Sequence, residues 1–173
     1  MKKPSVRNVE TMMQKRQLGK SEFSIASLMF GGNVFGWTVD EKRSFELMDA
    51  FVDLGGDAID TADGYSYWKP GNKGGESETI IGAWLKQSAK RNKVLVTTKG
   101  GRMPNLAGAS RKILFQACED SLRRLGVDRI DLYQIHIDDP ATPPEEQIGA
   151  LADLQREGKI KSVGLSNYEP ARL

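Results

Sequence analysis

The sequence predicts an α/β protein whose strands lie parallel in one sheet, and three observations carry that prediction. Short apolar runs alternate along the chain with longer segments of helical periodicity, the pattern of successive βαβ units. Helix stops and starts fall between them, with Gly55, Gly126 and Gly158 after periodic stretches and Asp40, Ser110 and Thr142 before others. At 173 residues, 39% hydrophobic and 28% charged, the chain is long enough to bury one ordinary core. Both an open doubly wound sheet and a (β/α) barrel satisfy this rhythm.

Composition narrows the class of partner. The 25 basic and 23 acidic residues nearly cancel, leaving +2, and no basic run with interleaved aromatics suggests a nucleic-acid surface. Cys118 is the single cysteine, so no internal disulfide can form, and a reducing cytoplasm is the expected compartment. No stretch approaches the 18 apolar residues of a membrane span, and no apolar run follows Met1-Lys2-Lys3-Pro4 as a secretion signal requires. A soluble cytoplasmic protein without nucleic-acid or membrane partners is therefore expected. Residues 1–12 are polar and patternless and read as a flexible tail, and 13–173 as one domain.

Each element has its own justification. Arg16 to Ile25 reads as two short strands about a Gly19-Lys20 turn. Ser27 to Gly31 is a short apolar run ahead of a glycine-rich loop reaching Trp37. Asp40 then caps a helix that carries Phe45, Met48, Phe51 and Val52 on one face and stops before Gly55. The strand Asp57 to Asp60 leads through a long loop to a helix near Ser77, with Ile80, Ile81, Trp84 and Leu85 inward. Val94 to Thr98 is the next strand, followed by a helix that Ser110 would cap, with Leu114, Cys118, Leu122 and Leu125 inward. Ile130 to His136 follows, then Thr142-Pro143-Pro144-Glu145, which reads as a capping threonine, a proline at the first helical position and a glutamate three residues on from the cap. Lys161 to Leu165 is a fifth strand, and Glu169 opens a further helix.

The strand ends carry residues that packing does not need. Asp60, Lys99 and His136 close the second, third and fourth strands, and Ser166-Asn167 follows the fifth. In a parallel sheet these ends share one face, so residues distant in sequence converge. Singly, each has a bland explanation: a turn-holding aspartate, a solvated lysine, a satisfied core histidine, a loop tyrosine at Tyr65. Their recurrence at matching positions argues for a site. The set also makes chemical sense, because a phenol with an ordinary pKa near 10 is a poor proton donor unless a cation lies close. Lys99 is a candidate for that cation, Asp60 for its counter-charge, and His136 for the group that orients a carbonyl toward Tyr65 as general acid.

These segments resemble the aldo/keto reductase family. The matching stretches are DAIDTADGY, with Tyr65 five residues after Asp60, then GGESETIIGAWL, VLVTTKGG, SLRRLGVDRIDLYQIHIDD and GKIKSVGLSNY, in that order. The resemblance implies a (β/α)8 TIM-type barrel and NADPH-dependent reduction of an aldehyde or ketone. Residue by residue, it implies a catalytic tetrad of Asp60, Tyr65, Lys99 and His136, with Ser166 and Asn167 on the nicotinamide carboxamide and Asp60 also at the cofactor. Phe35, Trp37 and Trp68 are candidates for an apolar substrate pocket. Tyr67 rivals Tyr65 but has the wrong spacing from Asp60. Cys118 reads as core, and Asp138-Asp139 as a solvated loop without metal, since no further ligand cluster accompanies it.

A closed barrel of this type needs eight strands and about 250 residues, and five strands are legible here. The sequence therefore reads as an incomplete barrel, a truncated form whose open edge invites self-association. Two other functions remain to be weighed: a Schiff-base aldolase using Lys99, and a non-catalytic regulatory subunit with the reductase fold, similar to the cytoplasmic β subunits of potassium channels.

Overall fold

The computed structural model describes residues 13–172. The tail expected at residues 1–12 lies outside them.

The first two strands, β1 (Lys15–Gln17) and β2 (Ser24–Ala26), pair antiparallel, with Lys15 opposite Ala26. Next come β3 (Phe30–Gly31), α1 (Glu41–Asp53), β4 (Ala58–Asp60), α2 (Glu76–Ser88) and β5 (Leu95–Gly100). A small antiparallel ribbon of β6 (Arg102–Met103) and β7 (Leu106–Ala107) precedes α3 (Arg111–Leu125). The described chain ends with β8 (Ile130–Ile135), α4 (Pro144–Arg156), β9 (Ile160–Leu165) and a short 3₁₀ turn at Pro170–Arg172, where a helix was expected from Glu169.

Strands β3, β4, β5, β8 and β9 form one parallel five-stranded sheet in that order, each step a helical crossover. This is the rising half of a (β/α) barrel. Register fixes which residues share a face: Asp60 lies beside Thr97, and Lys99 beside Gln134. Strand alternation then sends Thr97 and Lys99 to the inner face and Val96 and Thr98 to the outer one. The outer face and the helices enclose the core, in which Met48, Ile59, Ile81, Trp84, Leu114, Cys118, Leu125, Leu151 and Leu154 are fully buried.

Most sequence signals act as expected. Asp40 caps α1 by accepting from the Arg43 N–H at 2.8 Å, and Gly126 ends α3 in the left-handed region at φ 65°. Two caps work differently. Thr142 does not cap α4, because the helix starts at Pro144 and the N-cap position falls to Pro143; its hydroxyl donates to Asp139 Oδ2 at 2.7 Å. Ser110 occupies the N-cap of α3 without a side-chain bond; the Arg111 N–H is met instead by the Glu146 carboxylate of α4 at 2.9 Å. The third parallel strand also runs further than its apolar run, so Lys99 lies within β5 and not beyond its end.

Candidate active site

Three adjacent strands deliver the site. Asp60 ends β4, Lys99 lies on the inner face of β5, and His136 follows β8. Tyr65 reaches the same place from the β4–α2 loop, which turns at once through a Tyr65 N–H bond to the Ala62 carbonyl.

The Lys99 ammonium organises the cluster. It donates to Asp60 Oδ2 at 2.6 Å, to the Thr61 carbonyl at 2.8 Å and to Tyr65 Oη at 2.9 Å. An ammonium has three donors, and all three are used. Lys99 is only 7% exposed, and a buried cation is tolerated when it is both paired and fully hydrogen-bonded. Asp60 is fixed in turn, its Oδ1 accepting from the Thr97 hydroxyl at 2.7 Å. The phenol proton has a weaker place to go: Asp60 Oδ2 lies 3.4 Å from Tyr65 Oη, beyond the usual length for an O–H donor. Tyr65 Oη thus receives a hydrogen bond from a cation, while its own O–H has only the long contact to Asp60.

His136 stands edge-on to Tyr65, ring centroids 5.7 Å apart and planes at 79°. Both line a cleft of about 260 Å³ together with Asn33, Trp68 and Arg102. Trp68 walls it at 6.4 Å from the Tyr65 ring, and Trp37 packs edge-on against Trp68 at 5.6 Å without lining the cleft itself. Phe35 is a correction: it is fully buried in the core, 5.7 Å from the Phe30 ring, and cannot meet a substrate. Its apolar character served packing, which a loop position did not reveal. Tyr67 is exposed at the cleft and has no bond to Lys99 among the described residues.

Beyond β9, the Asn167 amide donates to the His136 carbonyl at 2.8 Å and to Ser166 Oγ at 3.0 Å, with Asn167 held at φ 56°. That arrangement leaves the Ser166 O–H free to donate and the Asn167 carbonyl oxygen free to accept.

Other expectations resolve around this centre. Cys118 is buried in the core, and burial pushes its thiol up to about 12. Asp138 and Asp139 lie half-buried in the loop after β8, with their carboxylates engaged. Asp138 forms a two-bond pair with Arg172, while Asp139 accepts from the Ala109 and Ala141 N–H groups and from Thr142, and these bonds, chiefly that from Ala109, hold its carboxyl below the usual range. No group of three metal-ligating side chains occurs among the described residues. A larger cavity of about 650 Å³ opens at the opposite ends of the strands, where Arg91 and Lys161 pair with Asp131 and Lys15 pairs with Asp57, while Lys93 and Arg129 also line the wall.

Sequence reasoning missed support behind the sheet. Glu78 of α2 is fully buried and accepts from Thr98 Oγ1 and from Arg124 Nε, each at 2.6 Å. It therefore grips β5 from the outer face at the residue next to Lys99. Both Glu78 and Arg124 lie in quoted motifs, but nothing in their spacing pairs them.

The comparisons bear on the family and the fold. A family model described as "Aldo/keto reductase family" matches residues 27–173. The "Uncharacterized 11.2 kDa protein in crtE 3'region" of Pseudescherichia vulneris is 57% identical over 90 residues, covering 51% of this chain and 87% of that protein. "Aldo-keto reductase YhdN" of Bacillus subtilis is 34% identical over 163 residues, which is 92% of this chain and 45% of that one. Among solved structures, the holo form of aldo-keto reductase AKR11C1 from Bacillus halodurans superposes with a TM-score of 0.79 at 35% identity, covering 91% of this chain and 51% of that chain. The chain thus spans about half the length of the named reductases that it matches.

Proposed function

We propose, since this chain belongs to the aldo/keto reductase family, that its cleft takes the carbonyl of an aldehyde or ketone and that Tyr65 protonates the oxygen as it becomes an alcohol. The observation that carries this reading is the Lys99 ammonium bonded at once to Asp60 and to the phenol oxygen. When the proton leaves Tyr65, negative charge develops on an oxygen already 2.9 Å from that ammonium, an electrostatic arrangement in place before the reaction. Asp60 keeps the ammonium where it is needed, and His136 and Tyr65 together line the place where a carbonyl oxygen would sit.

NADPH, when bound, would supply the hydride. Ser166 and Asn167 fit its nicotinamide carboxamide, since a free hydroxyl donor beside a free carbonyl acceptor matches the acceptor and donor of a primary amide. The choice of NADPH over NADH follows the family resemblance. A Schiff base on Lys99 fits poorly, because its nitrogen carries three hydrogen bonds, the one to Asp60 being an ion pair, and offers no free lone pair. Self-association has a surface in the β9 edge, where Val163 stands 45% exposed. No helix among the described residues is long and apolar enough to cross a membrane.

Titration of the 173-residue chain with NADPH, followed by nicotinamide fluorescence with light scattering on the same sample, tests the cofactor half of this reading. Saturable binding by a defined species is expected. In any form that reduces carbonyls, Tyr65→Phe should lower kcat by about 10²–10⁴ and leave cofactor affinity nearly unchanged. Undiminished turnover would remove Tyr65 from the role of acid.

A further inference from the structure

Asp63 sits three residues after Asp60, fully buried in the β4–α2 loop. Its backbone N–H donates to the Lys99 carbonyl at 2.9 Å, and its Oδ2 accepts from the Gly101 N–H at 3.0 Å. The carboxylate is thus bolted to the end of β5, the strand that carries Lys99. Its other oxygen has no partner, and neither has the buried Nδ1 of His136, which faces it at 3.9 Å. These are two of only three buried side-chain polar atoms without a hydrogen bond among the described residues. One N–H bond is a meagre return for burying a carboxylate, and closing the gap to the imidazole would satisfy both atoms together.

We infer that Asp63 is the positioning residue for His136: its carboxylate holds the proton on Nδ1 and so turns Nε2 into the ring nitrogen available to the cleft. The opposite tautomer would set the bare lone pair of Nδ1 against a carboxylate lone pair, which is repulsive. Asp63 faces the ring at Nδ1 and the Tyr65 edge stands 5.7 Å away between centroids, Arg102 lines the same cleft, and Asn167 grips the His136 backbone carbonyl. With the proton on Nδ1, the neutral ring can only accept at Nε2. It donates to a carbonyl oxygen only when it carries both protons, and Asp63 is then its counter-charge. The catalytic consequence rests on the reductase reading, whereas the tautomer does not.

His136 is the only histidine in the chain, so ¹⁵N-labelled protein gives a single set of imidazole nitrogen resonances. Above the titration of the ring, the expected spectrum shows a protonated Nδ1 and a bare, pyridine-type Nε2. In Asp63→Asn the carboxamide can donate to Nδ1, and the pattern should invert to Nε2–H. A wild-type ring protonated on Nε2, or an Asp63→Asn ring that keeps the wild-type pattern, overturns the inference. Should the variant lose its folded backbone spectrum, the wild-type tautomer decides alone. The readout needs no turnover, so an inactive chain would count against the reductase reading and leave this one standing.

Discussion

Replacing Arg124 with Met should test how the sheet is braced behind the site. Glu78 is fully buried, with Thr98 on one oxygen and Arg124 on the other, both at 2.6 Å. Burial pushes its carboxyl above the ordinary glutamate value, and the attraction of Arg124 is the largest opposing influence. Removing one partner of a buried pair strands the other charge and costs about 3–5 kcal/mol, a large part of the roughly 5–15 kcal/mol that holds a domain together. With a urea slope near 2 kcal/mol/M, the midpoint at pH 7 should fall by about 2 M. The pH dependence has a definite sign. A carboxyl whose folded pKa is raised binds more protons folded than unfolded, so it costs stability as pH climbs above the unfolded value. Without Arg124 that pKa rises further, and the deficit of the variant should shrink as pH falls toward 5 and Glu78 takes a proton. Urea unfolding followed by the fluorescence of buried Trp84 at the two pH values reads both effects. A midpoint change under about 0.5 M at pH 7, or an equal deficit at pH 5, would refute the argument. Adding Glu78→Gln should recover part of the loss.

Two other outcomes follow from packing. Gly100→Ala should destabilise by about 1–3 kcal/mol, since its Cβ would stand 1.9 Å from the fully buried Tyr133 Oη; thermal unfolding within a degree of wild type would contradict that contact. Cys118 should resist a thiol reagent in the native state and react once in denaturant, because it is buried and its thiol is pushed up to about 12; rapid native labelling would place it elsewhere.

What could be read from the sequence was whatever a single element declares about itself. Asp60, Lys99 and His136 were legible because parallel strands bring their ends to one face, so position along each strand implied position in space. The inward rows Ile80, Ile81, Trp84, Leu85 and Leu114, Cys118, Leu125 were legible for the same reason, since a helical period names its buried face. Pairings between elements carried no such signal. Thr142 was read as a cap because capping is local, but the helix starts at Pro144 and leaves Thr142 one residue before the cap position. Ser110 lost its role to Glu146, which α4 brings alongside. Phe35 looked like a pocket aromatic because it lies in a loop, yet that loop folds back through the Phe35–Val39 bridge and buries it. Asp63 and Glu78 escaped notice because a buried charge is visible only once its surroundings are known.

The order of the strands separates the two halves of the chemistry. Asp60 and Lys99 lie on β4 and β5 and His136 directly follows β8; these are the three inner members of the five-stranded sheet, and each has a hydrogen-bonded strand on both sides. Lys99 is further held from outside through Thr98 and Glu78, and Asp63 is tied to Gly101 at the end of the same strand. Ser166 and Asn167 follow β9, which is paired on one side only among the described residues. Restraint of the residues proposed for proton transfer is therefore local to the inner strands, whereas the residues proposed for a carboxamide follow an edge strand of the sheet. Under mild denaturant, loss of NADPH affinity should precede loss of the His136 ring environment, and simultaneous loss of both in a combined fluorescence and ¹⁵N titration would show that the edge and the centre open as one unit.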